Sequence, residues 1–294
     1  MNETSATYRS RHFLSQDGLR LYFRDYGDPL SEKAPLLCLA GLTRNSSDFH
    51  DLATRLMGER RILALDYRGR GRSDYDPDWR HYEARTYLND IHHLLTATGV
   101  HRVVLVGTSL GGILSMALGA VMPMALAGVI LNDVGPVVST AGLARIIAYI
   151  REDRPQPSWE AAGKHLQAIL PNLTIQTAAG WEDLARRTYR EGEDGLLHFD
   201  WDIRLAEPLL RQSGPVEDMW HLYRSLRHIP VLALRGEVSD ILTPETFDRM
   251  AEEKPDLIRL TVPECGHVPL LDEPVCLEAI HRFLEIADRG AQAG

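Results

Sequence analysis

The chain is short of cysteine, with three in 294 residues, and Cys38, Cys265 and Cys276 have no metal-type spacing. An odd, scattered set of this kind reads as free thiols in a reducing compartment and excludes a disulfide framework. Apolar stretches long enough to span a bilayer, about 20 residues, are also missing. Met1 to Ser10 is polar and has no apolar run ending in a small-residue cleavage site, so no signal peptide is expected and the expected location is cytoplasmic. Positive charge is in deficit: the net charge is -9, which argues against a nucleic-acid partner, because such binding relies on cations that neutralise phosphates. There is no H-E-x-x-H, no paired-cysteine site, no calcium loop and no P-loop lysine, and the glycines around Arg70 do not complete a dinucleotide fingerprint. No metal and no cofactor are expected.

What is present is an ordinary apolar fraction, 44%, in a chain long enough for one large domain or a core with a modest insertion. Arg11–Ser15 and Arg20–Asp25 flank an Asp17-Gly18 turn signal and read as antiparallel edge strands. Apolar runs too short for helices then recur at Pro35–Ala40, Arg61–Leu65, Arg102–Val106, Ala127–Leu131, Val231–Leu234 and Leu257–Val262, as strands buried on both faces do. Between them Tyr87, Leu88, Ile91, Leu94 and Leu95 form one helical stripe that stops at Gly99. Leu110 to Val121 carries a second stripe, and Leu277, Ile280, Phe283 and Leu284 a third. The alternation implies an α/β protein with a mostly parallel central sheet and helices on both faces. It breaks after Asn132–Pro136 and resumes near Ile229. Residues 1–134 and 229–294 are therefore expected to form the core, and residues 135–228 a helical cap inserted after the sixth core strand, without a buried strand of its own. The Gly/Ala-rich last five residues are expected to be disordered.

Gly107-Thr108-Ser109-Leu110-Gly111 places a G-x-S-x-G motif between a buried strand and an amphipathic helix. A strand that turns abruptly into a helix holds the serine hydroxyl out, and side chains two positions away on either side would collide; glycine removes them. The free N–H groups of the first helical turn face the place where an oxyanion would form, and Leu110 N–H is the expected donor.

Over nearly its whole length the chain resembles the α/β-hydrolase superfamily. Leu37–Asn45 stands where that family carries a His-Gly oxyanion loop, with Ala40 in place of the histidine, and Asp66–Ser73 resembles its D-x-R-G-x-G-x-S loop. The resemblance implies Leu42 N–H as the second oxyanion donor. It makes His267, in Glu264-Cys265-Gly266-His267, the general base, and Asp240, in Gly236-Glu237-Val238-Ser239-Asp240, the acid that orients it. Asp133 stays open as the alternative acid, since some members supply it from the end of the preceding core strand. Arg44 and Asn45, just beyond the oxyanion loop, are candidate substrate contacts. Arg68, Arg70 and Arg72 read as an exposed basic loop or as internal salt bridges.

The implied activity is cofactor-independent serine hydrolysis of a carboxylic ester or lactone, through an acyl-enzyme, on a small and partly apolar molecule. The tryptophans at 159, 181, 201 and 220 are consistent with an apolar substrate. Carbon-carbon bond hydrolysis and cofactor-free perhydrolysis use the same triad and remain alternatives. A non-catalytic small-molecule receptor of the same fold is the competing class. A small molecule is the expected partner, and a homodimer is left open.

Overall fold

The computed structural model describes residues 7–170, 172–211 and 218–292. Ten strands are present among them: β1 (Arg9–Leu14), β2 (Arg20–Tyr26), β3 (Leu36–Leu39), β4 (Ile62–Leu65), β5 (Val103–Thr108), β6 (Leu126–Asn132), β7 (Tyr189–Glu191), β8 (Leu197–Phe199), β9 (Val231–Gly236) and β10 (Ile258–Val262). The α-helices are α1 (His50–Leu56), α2 (Ala84–Thr98), α3 (Leu110–Val121), α4 (Thr140–Ile150), α5 (Trp159–Ile169), α6 (Ala178–Arg186), α7 (Glu207–Arg211), α8 (Trp220–Ser225), α9 (Pro244–Glu253) and α10 (Pro274–Gln292). Eight strands form one sheet in the order β1-β2-β4-β3-β5-β6-β9-β10. Only the pairs β1–β2 and β2–β4 are antiparallel, so β2 alone runs against the rest.

The short apolar runs are central strands because neither face can be left in water: every residue of β3, β4 and β6 is buried. The outer strand β10 alternates exposed and partly buried positions instead. On β6, Gly128 faces Phe283 of α10 while Leu131 reaches toward α3 at Gly112, and an odd spacing along a strand means opposite faces. The two helices therefore cover the sheet from its two sides. In α2 the stripe Tyr87, Ile91, Leu94 and Leu95 is buried, and Gly99 ends the helix with a left-handed φ of 65°. The disorder expected of the final five residues falls on the end of α10, 290–292, and on residues 293–294, which lie outside the described residues.

Segment 135–228 holds α4 to α8 and one element not expected there. β7 and β8 pair antiparallel into a hairpin whose turn includes Gly195 at φ 78°. Phe199 of this hairpin stacks on Trp201 at 4.0 Å and on Tyr189 at 4.7 Å, so a small aromatic core forms within the insertion. The final helix, α8, belongs with the sheet domain: Ser225 Oγ donates to Met116 O of α3, and Tyr223 hydroxyl donates to Met250 O of α9.

The insertion is sewn to the core at Asp200, where Gly71 N–H donates to Asp200 O and Asn45 Nδ2 reaches its carboxylate at 3.4 Å. Burial, reinforced by the nearby Asp66 carboxylate, raises the Asp200 pKa from 3.8 to about 7. The folded chain thus binds a proton there that the unfolded chain has already lost, and stability falls as pH rises from the ordinary carboxylate range through about 7. Asp200→Asn removes this slope. Between pH 5 and pH 8 the wild type is expected to lose about 5 °C more in Tm than the variant, measured by differential scanning calorimetry; parallel pH profiles would show that Asp200 does not titrate there.

Candidate active site

The turn that carries Ser109 is built as its glycines require. Ser109 sits between β5 and α3 at φ 50°, ψ -112°, a strained conformation for a residue with a side chain. A Cβ on Gly107 would lie 2.4 Å from Gly111 O, and one on Gly111 would lie 2.0 Å from Leu39 O, so neither position admits a side chain. Leu110 opens α3 and therefore has no acceptor for its N–H within the helix. The Gly41–Leu42 turn lies alongside: a Cβ on Gly41 would be 3.8 Å from the Ser109 Cβ, and Gly111 N–H donates to Ala40 O.

His267 follows β10 and stands 3.1 Å from Ser109 Oγ through Nε2. Its other nitrogen, Nδ1, is 2.6 Å from Asp133 Oδ2. Asp133 is fully buried at the carboxyl end of β6 and also accepts from Gly236 N–H at 2.8 Å and from the Ser239 hydroxyl at 2.6 Å. Every neighbour of this carboxylate is a donor, which assigns the Nδ1 proton to His267 and leaves Nε2 free to accept from Ser109.

Asp240 is not in this chain of contacts. Its carboxylate is gripped by Arg145 of α4, Nε to Oδ2 at 2.6 Å and Nη2 to Oδ1 at 2.8 Å, and this hydrogen bonding holds its pKa below the usual carboxylate range. The carboxylate that meets His267 is therefore the alternative, Asp133, and not Asp240, for a physical reason. The loop after β9 turns its backbone and Ser239 toward Asp133 and points Asp240 outward, where its side chain is 43% exposed against 0% for Asp133.

Asn132, one residue before Asp133, belongs to no catalytic motif of the sequence. Its carbonyl accepts from Ser109 N–H, and its buried side-chain Nδ2 donates to Thr108 Oγ1 at 3.1 Å and to Pro269 O at 2.9 Å. One residue thus ties the nucleophile turn to the loop that carries His267. An asparagine at a strand end carries no signature of that role in sequence.

A cavity of about 290 Å³ opens onto Ser109 and His267. One wall is aliphatic, from Ile146, Leu166, Ile169, Leu170, Leu173 and Leu184 of the insertion. Leu42 lines it, and so does Arg44, whose guanidinium is committed to Asp48 and Thr188. Asn45 does not line it: its side chain is buried, accepting from Ser47 N–H and donating to Arg187 O. The reading of Asn45 as a substrate contact is replaced by a structural one. Of the four tryptophans in the insertion only Trp201 lines the cavity; Trp220, for example, packs under Arg249 at 4.1 Å. Among the described residues one group, Asp17, Asp76 and His81, has metal-like spacing, but the Arg68 guanidinium bonds both carboxylates and occupies the cation's place.

The model of the alpha/beta hydrolase family matches residues 36–276. The chain belongs to the α/β-hydrolase family. This α/β-hydrolase is similar to a crystal structure of an alpha/beta hydrolase from Novosphingobium aromaticivorans, with 44% identity, a TM-score of 0.90, and 96% of this chain and 99% of that one covered. It is 31% identical to a 3-hydroxybutyrate-oligomer hydrolase of Cupriavidus necator over 92% of this chain and 94% of the relative. It is 27% identical to a 2-(acetamidomethylene)succinate hydrolase of Mesorhizobium japonicum over 96% of this chain and 99% of the relative. The relatives support hydrolase activity for this α/β-hydrolase. Among its described residues no helix is long and apolar enough to cross a membrane.

Proposed function

We propose that this hydrolase cleaves carboxylic esters through an acyl-enzyme on Ser109, and that its substrates are short esters or oligoesters of small hydroxy acids. The observation that carries the chemistry is the continuous hydrogen-bond chain from Ser109 Oγ through His267 to the buried Asp133. A serine hydroxyl is a weak nucleophile near neutral pH, and this chain gives it a base already in the right tautomer. His267 Nε2 takes the Ser109 proton as Oγ bonds to the ester carbonyl carbon, and the developing negative charge on the carbonyl oxygen falls to the Leu42 and Leu110 N–H groups. Collapse breaks the bond to the leaving alcohol, which receives the proton from His267. Water then gives its proton to His267 and attacks the acyl-enzyme; collapse breaks the bond between Ser109 Oγ and the acyl carbon, Oγ takes the proton back from His267, and the acid is released.

The substrate class rests on two supports. An oligomer of a hydroxy acid is joined by ester bonds, and a relative at 31% identity is named for hydrolysing one. The aliphatic wall and the cavity volume of about 290 Å³ suit an acyl chain of a few carbons rather than a long lipid. The test is a fluorophosphonate label followed by a substrate panel of p-nitrophenyl butyrate, linear 3-hydroxybutyrate dimer and trimer, and a γ-lactone. Labelling that disappears in Ser109→Ala, with kcat/KM for the trimer at least about tenfold above that for the lactone, is expected. An unlabelled wild type would favour a receptor, and preference for the lactone would overturn the oligoester assignment.

A further inference from the structure

Of the three arginines after β4, Arg68 is the internal salt bridge expected of it, bonded to Asp17, Asp76 and Asp90, and Arg72 lies over the Tyr22 ring. Arg70 is neither exposed nor salt-bridged. It is 0% exposed, and among the described residues no carboxylate pairs with it. Its Nε donates to Leu42 O at 2.5 Å, its Nη1 donates to Arg68 O at 2.8 Å and to the Tyr87 hydroxyl at 3.0 Å, and its buried Nη2 has no hydrogen-bond partner among the described residues. The rings of Tyr67 and Tyr87 face the guanidinium at 5.3 Å and 5.0 Å. A buried cation without an anion is strongly unfavourable in the resting protein, and two tyrosine faces offset only part of that penalty.

We infer that Arg70 is a positioning residue of the oxyanion hole: it holds the Leu42 turn by its carbonyl and supplies an uncompensated positive charge that becomes favourable when negative charge develops at the Leu42 and Leu110 N–H groups. This inference rests on the proposed serine mechanism. Three observations converge on it. The arginine's contact is to Leu42 itself, not to a neighbouring loop. The turn it holds carries Ala40, whose methyl group makes no hydrogen bond, so the side chain of that position cannot brace the turn. The guanidinium is buried and no carboxylate among the described residues bonds it, so its charge is screened less than that of a surface arginine. Arg70 does not line the cavity, so it cannot meet the substrate directly.

The test compares Arg70→Met, Arg70→Lys and wild type by kcat and KM on p-nitrophenyl butyrate, by Ki for an alkyl trifluoromethyl ketone, and by Ki for the unfluorinated methyl ketone of the same chain length. Ser109 adds to the activated trifluoromethyl ketone's carbonyl and its proton passes to His267, so that bound inhibitor carries an oxyanion, whereas the methyl ketone binds as a neutral carbonyl. Arg70→Met is expected to lower kcat about 100-fold and to raise the trifluoromethyl ketone Ki by a similar factor, with KM and the methyl ketone Ki within about threefold of wild type. Arg70→Lys, which keeps the charge, is expected to recover at least about tenfold of the lost kcat. Equal losses in KM and in both Ki values, with lysine no better than methionine, would show a purely structural arginine and overturn the inference. So would a folded Arg70→Met with wild-type kcat. Should Arg70→Met fail to fold, Tyr87→Phe decides: it frees one donor of the guanidinium, and unchanged kcat and trifluoromethyl ketone Ki in that variant would equally overturn the assignment. Fluorophosphonate labelling of Ser109 in each variant separates these outcomes from failure of the serine mechanism, which would leave the wild type unlabelled.

Discussion

Ser109→Ala and His267→Ala are each expected to lower kcat by about 10⁴-fold to 10⁶-fold, with KM little changed, and the double variant is expected to be no worse than about threefold below either single one. In the proposed mechanism the two side chains perform one step together, bond formation by Oγ and proton removal by Nε2 across 3.1 Å, so removing either removes the whole step. The residual rate is what the oxyanion donors and substrate binding supply alone. Neither change should unfold the protein. Replacing Ser109 relieves no packing, and its loss leaves the Gly112 and Ile113 N–H bonds to Ser109 O in place because they are made by the backbone. Steady-state kinetics on p-nitrophenyl butyrate, with active-site titration to exclude wild-type contamination, checks this. Two losses that multiply rather than saturate would mean that the pair does not act as a unit.

Asp133→Asn is expected to lower kcat by about 10³-fold to 10⁴-fold, whereas Asp240→Asn should leave kcat and KM within about threefold of wild type. The difference follows from what each carboxylate accepts. Asp133 Oδ1 takes Gly236 N–H, and Oδ2 takes both the Ser239 hydroxyl and His267 Nδ1–H. An asparagine must place its NH₂ at one of these oxygens. At the first it opposes a backbone donor; at the second it opposes two donors and drives the imidazole toward the tautomer with its proton on Nε2, which cannot accept from Ser109. Asp240→Asn loses only the bidentate ion pair to Arg145, with partners 28% and 43% exposed, and such surface pairs contribute about 1 kcal/mol or less. The pair of variants assayed side by side decides which aspartate is the acid. A large loss in Asp240→Asn with a mild one in Asp133→Asn would return the role to the loop after β9.

The outcome at these two aspartates marks the boundary of what a linear reading reaches. Both follow a core strand, and both stand N-terminal to His267, so chain order cannot separate them. The choice is made by the adjacency of β6 and β9 in the sheet and by Arg145, 95 residues before Asp240 in the chain, which draws that carboxylate outward. The β7–β8 hairpin is a different case. Asp194-Gly195 between Tyr189-Arg190-Glu191 and Leu197-His198-Phe199 is a local turn signal with apolar residues on both sides, but strands of three residues bury too little to stand out against the helices around them. Arg70 was illegible for a third reason: an arginine is ordinarily a surface residue, and nothing local announces that two tyrosines and a carbonyl enclose it.

By itself the sequence determined the sheet, its covering helices, the serine turn and the histidine after the last strand. Each of these is written in neighbouring residues: short, mostly apolar runs that become buried strands, helical stripes, and glycines at Gly107 and Gly111 where no Cβ fits. The tertiary structure alone decided the partner of His267, which side chains of the insertion line the cavity, and the burial of Arg70 against Leu42 O. Those depend on contacts between segments far apart in the chain, 134 residues in the case of His267 and Asp133, and a hydrogen bond of 2.6 Å is satisfied only by the one carboxylate that the packed sheet delivers to it.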